Sequence, residues 1–228
     1  MRRTKAEAEQ TREAVLAAAI EVFLERGVAR GTFYDIARVA GVTRGAIYWH
    51  FRDKLEIFLA LDARISLPNA ELGATLKARL AAGPELDPLD ELAKTICEAL
   101  QVLDNDTERR KILTILWLRC EYVDEMLPAL ERQQRTDTEL REQFLAVMKL
   151  AAARGRLAPQ WFPERAARAL LLLVNGAIED WLRGPADVRL VAETMPLVTA
   201  FLEAVSVPVA PAADRRMQRR SRCATNSP

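Results

Sequence analysis

Apolar residues recur at intervals of three and four positions along most of the chain, which is the spacing of one face of an α-helix. No stretch alternates convincingly between apolar and polar residues, and no Asn-Gly hairpin signal occurs. The pattern therefore predicts an all-α fold of about nine helices. We predict helices over about residues 5–26, 33–40, 44–50, 54–80, 88–103, 108–122, 124–155, 163–184 and 185–205.

Residues 32–54 contain two short predicted helices on either side of a tight turn. Thr32 is a favourable N-cap for the first helix, and Asp35 completes a pair of the capping-box type. Gly41 supplies a left-handed residue that ends this helix, and Thr43 caps the second. Helix, short glycine-containing turn and helix is the arrangement of a helix-turn-helix.

The second of these helices carries residues suited to a DNA groove. Arg44 lies at its start, where a guanidinium can donate two hydrogen bonds to guanine. Gly45 is a poor helix former, which favours a close approach by a partner. Thr32, Thr43, His50 and Lys54 surround the pair with phosphate-type donors. From the spacing alone, a helical hairpin with a solvated basic face fits equally well.

Net charge adds a modest indication of where DNA would bind. The chain of 228 residues has a net charge of only +1. Residues 1–56 carry ten Lys and Arg against eight Asp and Glu, and residues 209–228 carry five against one. Residues 57–208 carry 18 against 23. A slightly basic head, an acidic body and a basic tail suit a protein whose head approaches phosphates.

Cysteine and histidine usage argues against metal sites and enzymatic activity. The three cysteines form no CxxC motif, and His50 is the only histidine. Neither a zinc site, a disulfide framework nor a Ser-His-Asp triad is suggested, and no phosphate-binding loop is present. We expect no cofactor. Half of the residues are hydrophobic, but no apolar run reaches the roughly 20 residues of a membrane span, and the N-terminus is too polar for a signal peptide. We therefore expect a cytoplasmic protein.

The composition divides the chain into three regions. Residues 1–52 form a helix-turn-helix domain, residues 53–205 a helical body, and residues 206–228 a disordered basic tail. The helix that starts near residue 54 leaves the head and enters the body, and Pro68 should kink or break it. Cys120 is a candidate redox sensor, although a quiet buried thiol fits its apolar surroundings better.

The last two predicted helices have more apolar surface than one chain readily covers. Five apolar residues stand in a row at 170–174, and the last helix repeats apolar residues at alternating intervals of three and four. A homodimer through these helices would bury the excess. A thick core within a single chain is the alternative. Pro196 should bend the last helix.

The run AGVTRGAIYWHFRDK at residues 40–54 resembles the signature of TetR-family transcriptional repressors, in particular the AcrR-like multidrug-efflux subgroup. Similar segments are RRTKAEAEQTRE at 2–13, GTFYDIA at 31–37, RCEYVDEM at 119–126 and RAARALLLLVNGAIEDWL at 165–182. Gly31 replaces a residue that is often Thr in this family. The resemblance implies a DNA-binding head, a ligand cavity in the body and pairing through the last two helices.

Three sets of site residues follow from the residues and the resemblance together. The predicted DNA-binding residues are Thr32, Tyr34, Thr43, Arg44, Gly45, Ala46, Tyr48, Trp49, His50 and Lys54. The predicted ligand-binding residues are Ile65, Leu92, Ile96, Leu113, Trp117, Leu171, Val174, Asn175 and Ile178. The predicted dimer-interface residues are Leu173, Gly176, Ala177, Trp181, Val191, Met195, Val198 and Leu202.

The expected function is a ligand-responsive repressor of a multidrug efflux pump operon. As a homodimer it would bind a pseudo-palindromic operator in double-stranded DNA and be released by a hydrophobic small molecule. Three alternatives stay open at this point: a TetR-type regulator of a metabolic or catabolic operon, a helical adaptor that binds another protein through the helix-turn-helix, and an enzyme with a helical fold.

Overall fold

Nine α-helices and one short 3₁₀ helix account for most of the chain in the computed structural model, which describes residues 5–83 and 85–207, without the side chains of residues 66–72. The helices are α1 Lys5–Arg26, α2 Phe33–Ala40, α3 Arg44–His50, α4 Lys54–Ala82, α5 Pro88–Asn105, α6 Thr107–Leu118, the 3₁₀ helix Asp124–Met126, α7 Leu127–Ala153, α8 Pro163–Arg183 and α9 Leu190–Val205. No strand longer than a single bridge, between Leu157 and Ser206, occurs in the described part. The all-α prediction is confirmed.

The first three helices form the head. Leu16 and Phe23 on α1 are fully buried, and they pack in the same core as Ile36 of α2 and Ile47 of α3. A Cβ at Gly31 would lie 2.9 Å from the ring of Phe23, closer than real Cβ contacts come. Glycine at this position therefore leaves the room that the Phe23 ring occupies at the centre of the head.

Helix α4 connects the head to the body. Its first turns are anchored by Ile57, Phe58 and Leu61, which are almost completely buried. The helix runs from Lys54 to Ala82 and so continues through Pro68. The predicted break at this proline is therefore wrong.

Helices α5 to α9 form the body around a continuous apolar core that includes Leu92, Leu100, Met148 and Leu170. Its largest internal contacts are between α7 and α8, between α5 and α9 and between α8 and α9.

Two helix boundaries in the body differ from the prediction. Helix α6 ends at Leu118 rather than near residue 122. Helix α9 begins at Leu190 rather than near residue 185, because the carboxylate of Asp104 accepts hydrogen bonds from the backbone N–H groups of Leu190 at 2.7 Å and Val191 at 3.1 Å. A carboxylate from another helix thus takes the place of a local N-cap, which no local sequence signal indicates.

The last described residues pack back onto the body. The N–H of Ala158 donates to the Val205 carbonyl at 2.8 Å, and the N–H of Val207 donates to the Arg156 carbonyl at 2.8 Å. The backbone is therefore paired up to residue 207, one residue beyond the predicted start of the tail at 206. The rest of the predicted tail, residues 208–228, lies outside the described residues.

Candidate DNA interface and ligand cavity

The capping box predicted for α2 is present. The Thr32 hydroxyl accepts a hydrogen bond from the Asp35 N–H at 3.1 Å, and the Asp35 carboxylate accepts one from the Thr32 N–H at 3.3 Å. Arg26 of α1 adds an ion pair at 2.7 Å to the same carboxylate. The side-chain hydrogen bond from Thr32, followed by the charge of Arg26, lowers the pKa of Asp35 below its ordinary value, against the opposing effect of burial. The start of α2 is thereby fixed to α1.

Helix α3 is held by one buried side chain and one cap. Thr43 accepts a hydrogen bond from the Ala46 N–H at 3.2 Å, and Ile47 is completely buried beneath the helix. Ala46 is half-buried, as is His50, whose ring lies 6.4 Å from that of Phe51. The inward face of α3 thus packs against the rest of the head.

The outward face of α3 is open to solvent. Arg44 and Gly45 are exposed, and Trp49 is 79% exposed, the largest value among the exposed large hydrophobic residues. A Cβ at Gly45 would meet only the Thr43 hydroxyl, at 3.9 Å, so nothing within the head requires glycine there. An exposed indole offers both an apolar ring and an N–H donor to another molecule. The face is suited to contact with another molecule.

A shallow groove on the head brings several predicted DNA-binding residues together. Its lining includes Thr32, Tyr34, Arg44 and Tyr48, which come from both sides of the turn between α2 and α3. The ring of Tyr48 lies 5.0 Å from that of Phe33, which holds the two helices at a fixed spacing. The groove therefore presents two phenols, a hydroxyl and a guanidinium on one surface.

Lys54 also borders this groove, but its ammonium is engaged within the chain. It donates to the carbonyls of Val28 at 3.1 Å and Ala29 at 3.0 Å, and it lies 3.2 Å from the carboxylate of Glu125. Its side chain is only 19% exposed. The prediction that Lys54 contacts DNA phosphate does not fit this geometry, because all three donors of a lysine are accounted for here.

Arg52 is the cation that the sequence interpretation passed over. Its side chain is 81% exposed, and it pairs at 2.6 Å with Glu56 in the first turn of α4. It lines the same groove as Arg44. A surface ion pair of this kind is weak and can open in favour of a phosphate. The signal in the sequence was the cation immediately after α3, two residues before Lys54.

The body encloses a cavity of about 170 Å³ between α4, α5, α6, α7 and α8. Eight of the nine predicted ligand-binding residues line it: Ile65, Leu92, Ile96, Leu113, Trp117, Val174, Asn175 and Ile178. Trp117 is half-buried at the wall, where an aromatic ring can stack on a planar ligand. The lining is largely apolar, which is the usual character of a small-molecule site.

Leu171 is the exception among the nine. It is 5% exposed and belongs to the hydrophobic core, but it is not among the residues that line the cavity. Val174, three residues later, does line it. Leu171 therefore packs in the core, and this geometry does not support its prediction as a ligand contact.

The cavity also has a polar side that the sequence interpretation missed. Besides the predicted Asn175, it consists of Asp62, Thr95, Tyr122, Gln133, Thr136, Asp137 and Gln143. The Tyr122 hydroxyl donates to the Leu116 carbonyl at 2.7 Å, and burial raises the pKa of this phenol well above its ordinary value. Burial also raises the pKa of Asp137, an effect partly offset by the charge of Arg141. Four of these residues, Gln133, Thr136, Asp137 and Gln143, belong to the polar run of α7, which reads in sequence as a solvated face.

Three of the predicted dimer residues belong to the core of the single chain. Trp181 is 5% exposed, donates its indole N–H to the Val188 carbonyl at 3.0 Å and stacks against the guanidinium of Arg110. Val198 and Leu202 face inward on α9 and are buried. The side chains of all three are covered within one chain, which does not support their prediction as partner contacts.

The outward faces of α8 and α9 carry exposed apolar residues. Leu172 is 60% exposed and Leu197 is 55% exposed, and Gly176 is exposed with open space where a side chain would stand. The predicted residues Leu173, Ala177, Val191 and Met195 are half-buried beside them. An apolar face on two neighbouring helices is therefore present, and five of the eight predicted dimer residues lie on or beside it.

Other chemistry has little support in the described residues. Among them, no three His, Cys, Asp or Glu side chains are grouped so that they could hold a metal ion. Burial raises the pKa of the Cys120 thiol to about 11, which keeps it protonated and unreactive near neutral pH. Within the ranges that the structure describes, no helix has both the length and the apolar character of a bilayer span.

Comparison with known proteins identifies the family. Residues 15–61 match the model of bacterial regulatory proteins of the tetR family, and residues 87–207, more than half of the chain, match the C-terminal region of MAATS-type transcriptional repressors. The chain belongs to the TetR family. It is therefore a transcriptional regulator of the AcrR-like kind and not an enzyme.

Relatives of this TetR-family protein match it over nearly its whole length. The HTH-type transcriptional repressor BepR of Brucella suis is 41% identical over 208 residues, which cover 91% of this chain and 98% of BepR. The crystal structure of NalD, the secondary repressor of the MexAB-OprM multidrug efflux pump in Pseudomonas aeruginosa, is 36% identical, with a TM-score of 0.78 and coverage of 90% of this chain and 100% of NalD. The structure of a SmeT–triclosan complex is 29% identical, with a TM-score of 0.71 and coverage of 89% and 96%.

Proposed function

We propose that this protein is a homodimeric, ligand-responsive repressor of a multidrug efflux pump operon. Two recognition helices α3 would enter successive major grooves of a pseudo-palindromic operator. A hydrophobic small molecule in the body cavity would release the DNA. The likeness to NalD, a repressor of a multidrug efflux pump, supports the choice of target operon. The absence of a bilayer-spanning helix among the described residues is compatible with a regulator acting in the cytoplasm.

The observation that carries this proposal is a cavity and an exposed recognition helix connected by one continuous helix. Phe58, Leu59 and Ile65 of α4 line the cavity, and the same helix begins at Lys54, four residues after α3 ends. A ligand that displaces the cavity wall formed by α4 therefore acts on the element that carries the head.

Two further contacts join the head to the body. Arg64 of α4 pairs with Glu13 of α1 and, at 2.7 Å, with Glu108 of α6. The N–H of Val28 in the head donates to the Arg119 carbonyl at the end of α6, at 2.9 Å. Trp117 on α6 lines the cavity. The cavity wall is therefore connected to the head through α6 as well as through α4.

Release of DNA by a ligand requires a difference in affinity between two states. A ligand that binds both states equally shifts nothing. We expect the ligand to bind more tightly to a state in which α4 and α6 hold the two heads at a spacing that does not match the half-sites of the operator. SmeT, a structural relative, is a repressor of a multidrug efflux pump and has been solved with triclosan, which supports a hydrophobic ligand for this chain as well.

A gel-shift titration of the full chain tests the proposal. The probe is the intergenic DNA upstream of its own gene, and the control is a shuffled sequence of the same length. We expect saturable binding to the first probe, at least roughly a thousandfold tighter than to the second at physiological salt. A panel of hydrophobic antimicrobial compounds should contain members that release the DNA. Equal affinity for both probes would contradict the proposal.

A further inference from the structure

Eight polar residues line the cavity, Asn175 and Gln143 among them, and four of the eight have partners within the chain that hold the wall together. Thr95 donates its hydroxyl to the Glu91 carbonyl at 2.9 Å, and Thr136 donates to the Arg132 carbonyl at 3.2 Å. Tyr122 donates to Leu116, as described above. The carboxylate of Asp62 pairs with the guanidinium of Arg132. These groups hold the cavity wall together and have less capacity to orient a ligand.

Gln133 and Asp137 differ from these four residues. The amide oxygen Oε1 of Gln133 is buried and accepts no hydrogen bond from any described residue. No described side chain forms a hydrogen bond or an ion pair with the Asp137 carboxylate, although the charge of Arg141 reaches it. A buried acceptor without a donor is destabilising, because it has lost its hydrogen bond to water and gained none in return. The chain thus carries two acceptors at the cavity whose hydrogen-bonding capacity is unused.

These two acceptors lie on the same side of α7. Gln133 and Asp137 are four residues apart, which places them one turn apart on one helix face. Both line the cavity. Among the described lining residues there is no lysine, arginine or histidine. The cavity therefore offers acceptors and negative charge to a ligand, and no cation of its own.

The rest of the cavity lining indicates what kind of molecule must carry the group that donates hydrogen bonds to these acceptors. Trp117, Ile65, Leu113 and Phe144 are among the aromatic and aliphatic residues of the wall. A ligand gains affinity from them by burying apolar area, at about 25 cal/mol per Å². The donor therefore has to sit on an otherwise hydrophobic, preferably aromatic, molecule.

We propose that Gln133 and Asp137 form the specificity-determining edge of the cavity, which binds the protonated amine of a hydrophobic aromatic ligand. The Gln133 amide oxygen accepts one ammonium N–H, and the Asp137 carboxylate accepts another and neutralises the charge. This inference rests on the proposed function for its biological meaning, because the ligand bound here would be the inducer. Hydrogen bonds between charged groups are shorter and stronger than neutral ones, so the amine is favoured over a neutral hydroxyl of the same shape.

The test is direct binding of three matched probes to the purified full chain by calorimetry. The probes are 1-naphthylmethylamine, 1-naphthylmethanol and 1-naphthoic acid, which share one ring system and differ in the polar group. We expect the amine to bind about tenfold or more tightly than the alcohol and the acid to bind most weakly, since a charge-assisted hydrogen bond is roughly twice as strong as a neutral one. Undetectable binding of the amine, or equal binding of acid and amine, would overturn the proposal.

Variants assign the effect to the two residues. Asp137→Asn should bring the affinity for the amine close to that for the alcohol, while the affinity for the alcohol changes less than about threefold. Gln133→Met keeps the length of the side chain and removes the acceptor. It should therefore weaken the binding of both the amine and the alcohol. Glu139→Gln, at an exposed position of the same helix outside the cavity lining, is the matched control and should change neither. An amine-to-alcohol ratio in Asp137→Asn equal to that of the unmodified chain would contradict the assignment.

Two further measurements separate the possible failures. Thermal unfolding of each variant shows whether the fold is retained. Asp137→Asn should be no less stable than the unmodified chain, because it removes a charge that burial disfavours. The operator gel-shift without any probe tests the repressor function separately. Loss of operator binding in the unmodified chain would refute the proposed function, whereas a normal gel-shift with no preference for the amine would refute only the edge formed by Gln133 and Asp137.

Discussion

The ammonium of Lys54 lies 3.2 Å from the carboxylate of Glu125, so the first residue of α4 is tied to the segment that follows α6. The same ammonium donates to the carbonyls of Val28 and Ala29 in the turn after α1. Glu125 follows Tyr122, a residue of the cavity wall, by only three positions. One side chain thus joins the head, the connecting helix and the edge of the cavity.

Lys54→Met should lower the free energy of unfolding by about 1–3 kcal/mol, because two carbonyls and a carboxylate lose their shared donor. Arg52→Met is the matched control, and its stability should change by less than about 1 kcal/mol because the ion pair of Arg52 is exposed. Chemical denaturation measures both. Equal stability of Lys54→Met and the unmodified chain would show that these contacts contribute nothing.

In DNA binding, Arg52→Met should have a larger effect than Lys54→Met, which is the reverse of their order in stability. Arg52→Met is expected to weaken binding to operator and shuffled DNA alike and to flatten the salt dependence, as the loss of a phosphate contact does. Gel-shifts at several salt concentrations measure this. A loss confined to the operator would show that Arg52 reads a base instead.

Arg44→Ala should weaken specific operator binding by about 1–3 kcal/mol, since an arginine at the start of the recognition helix can bind guanine with two hydrogen bonds. Dimerisation should be unchanged, because Arg44 is an exposed residue of the head. Fluorescence anisotropy with operator and shuffled duplexes gives both affinities. If the variant binds the operator as tightly as the unmodified chain does, Arg44 makes no base contact.

Replacing both Leu172 and Leu197 with glutamate should give a folded monomer. Both side chains are more than half exposed on the outer faces of α8 and α9. The introduced charges should therefore destabilise a dimer interface on these faces without unfolding the single chain. Val198→Glu is the contrasting variant and should unfold the chain, because Val198 is completely buried within it. Sedimentation with circular dichroism distinguishes these results. A folded dimer of the double variant would place the interface elsewhere.

Trp117→Ala should weaken inducer binding by about 1–3 kcal/mol while operator affinity without inducer changes little. The indole is part of the cavity wall and lies in a different helix from the recognition residues. Trp161→Ala is the control, since Trp161 packs against Phe201 and is not among the lining residues. Inducer titrations by calorimetry and by gel-shift measure both quantities. Unchanged inducer affinity in Trp117→Ala would make Trp117 an ordinary core residue.

Local signals in the sequence were sufficient for the helices of the head. The Thr32–Asp35 capping box, the left-handed Gly41 and the Thr43 cap are all present, because each depends on residues within four positions of one another. The start of α9 was placed too early because its cap comes from Asp104, more than 80 residues away. No local pattern carries that information.

The sequence predicts some of the side chains that line the cavity and not others. An apolar residue that lines a cavity and one that fills the core look alike in sequence, which is why Val174 was correctly placed at the cavity and Leu171 was not. Gln133 and Asp137 were missed for the opposite reason. Polar residues on α7 have the pattern of a solvated face, and only the packing of the other helices turns part of that face inward.

The measurement that tests the account most directly is an inducer titration of the operator complex formed by the full chain and its upstream intergenic DNA. With 1-naphthylmethylamine as the probe, the account predicts that the unmodified chain releases the operator at a lower concentration than Trp117→Ala does, with equal operator affinity for both before the probe is added. Release of the operator at the same concentration for both chains, or no release at any concentration that saturates the cavity, would contradict the claim that this cavity controls DNA binding.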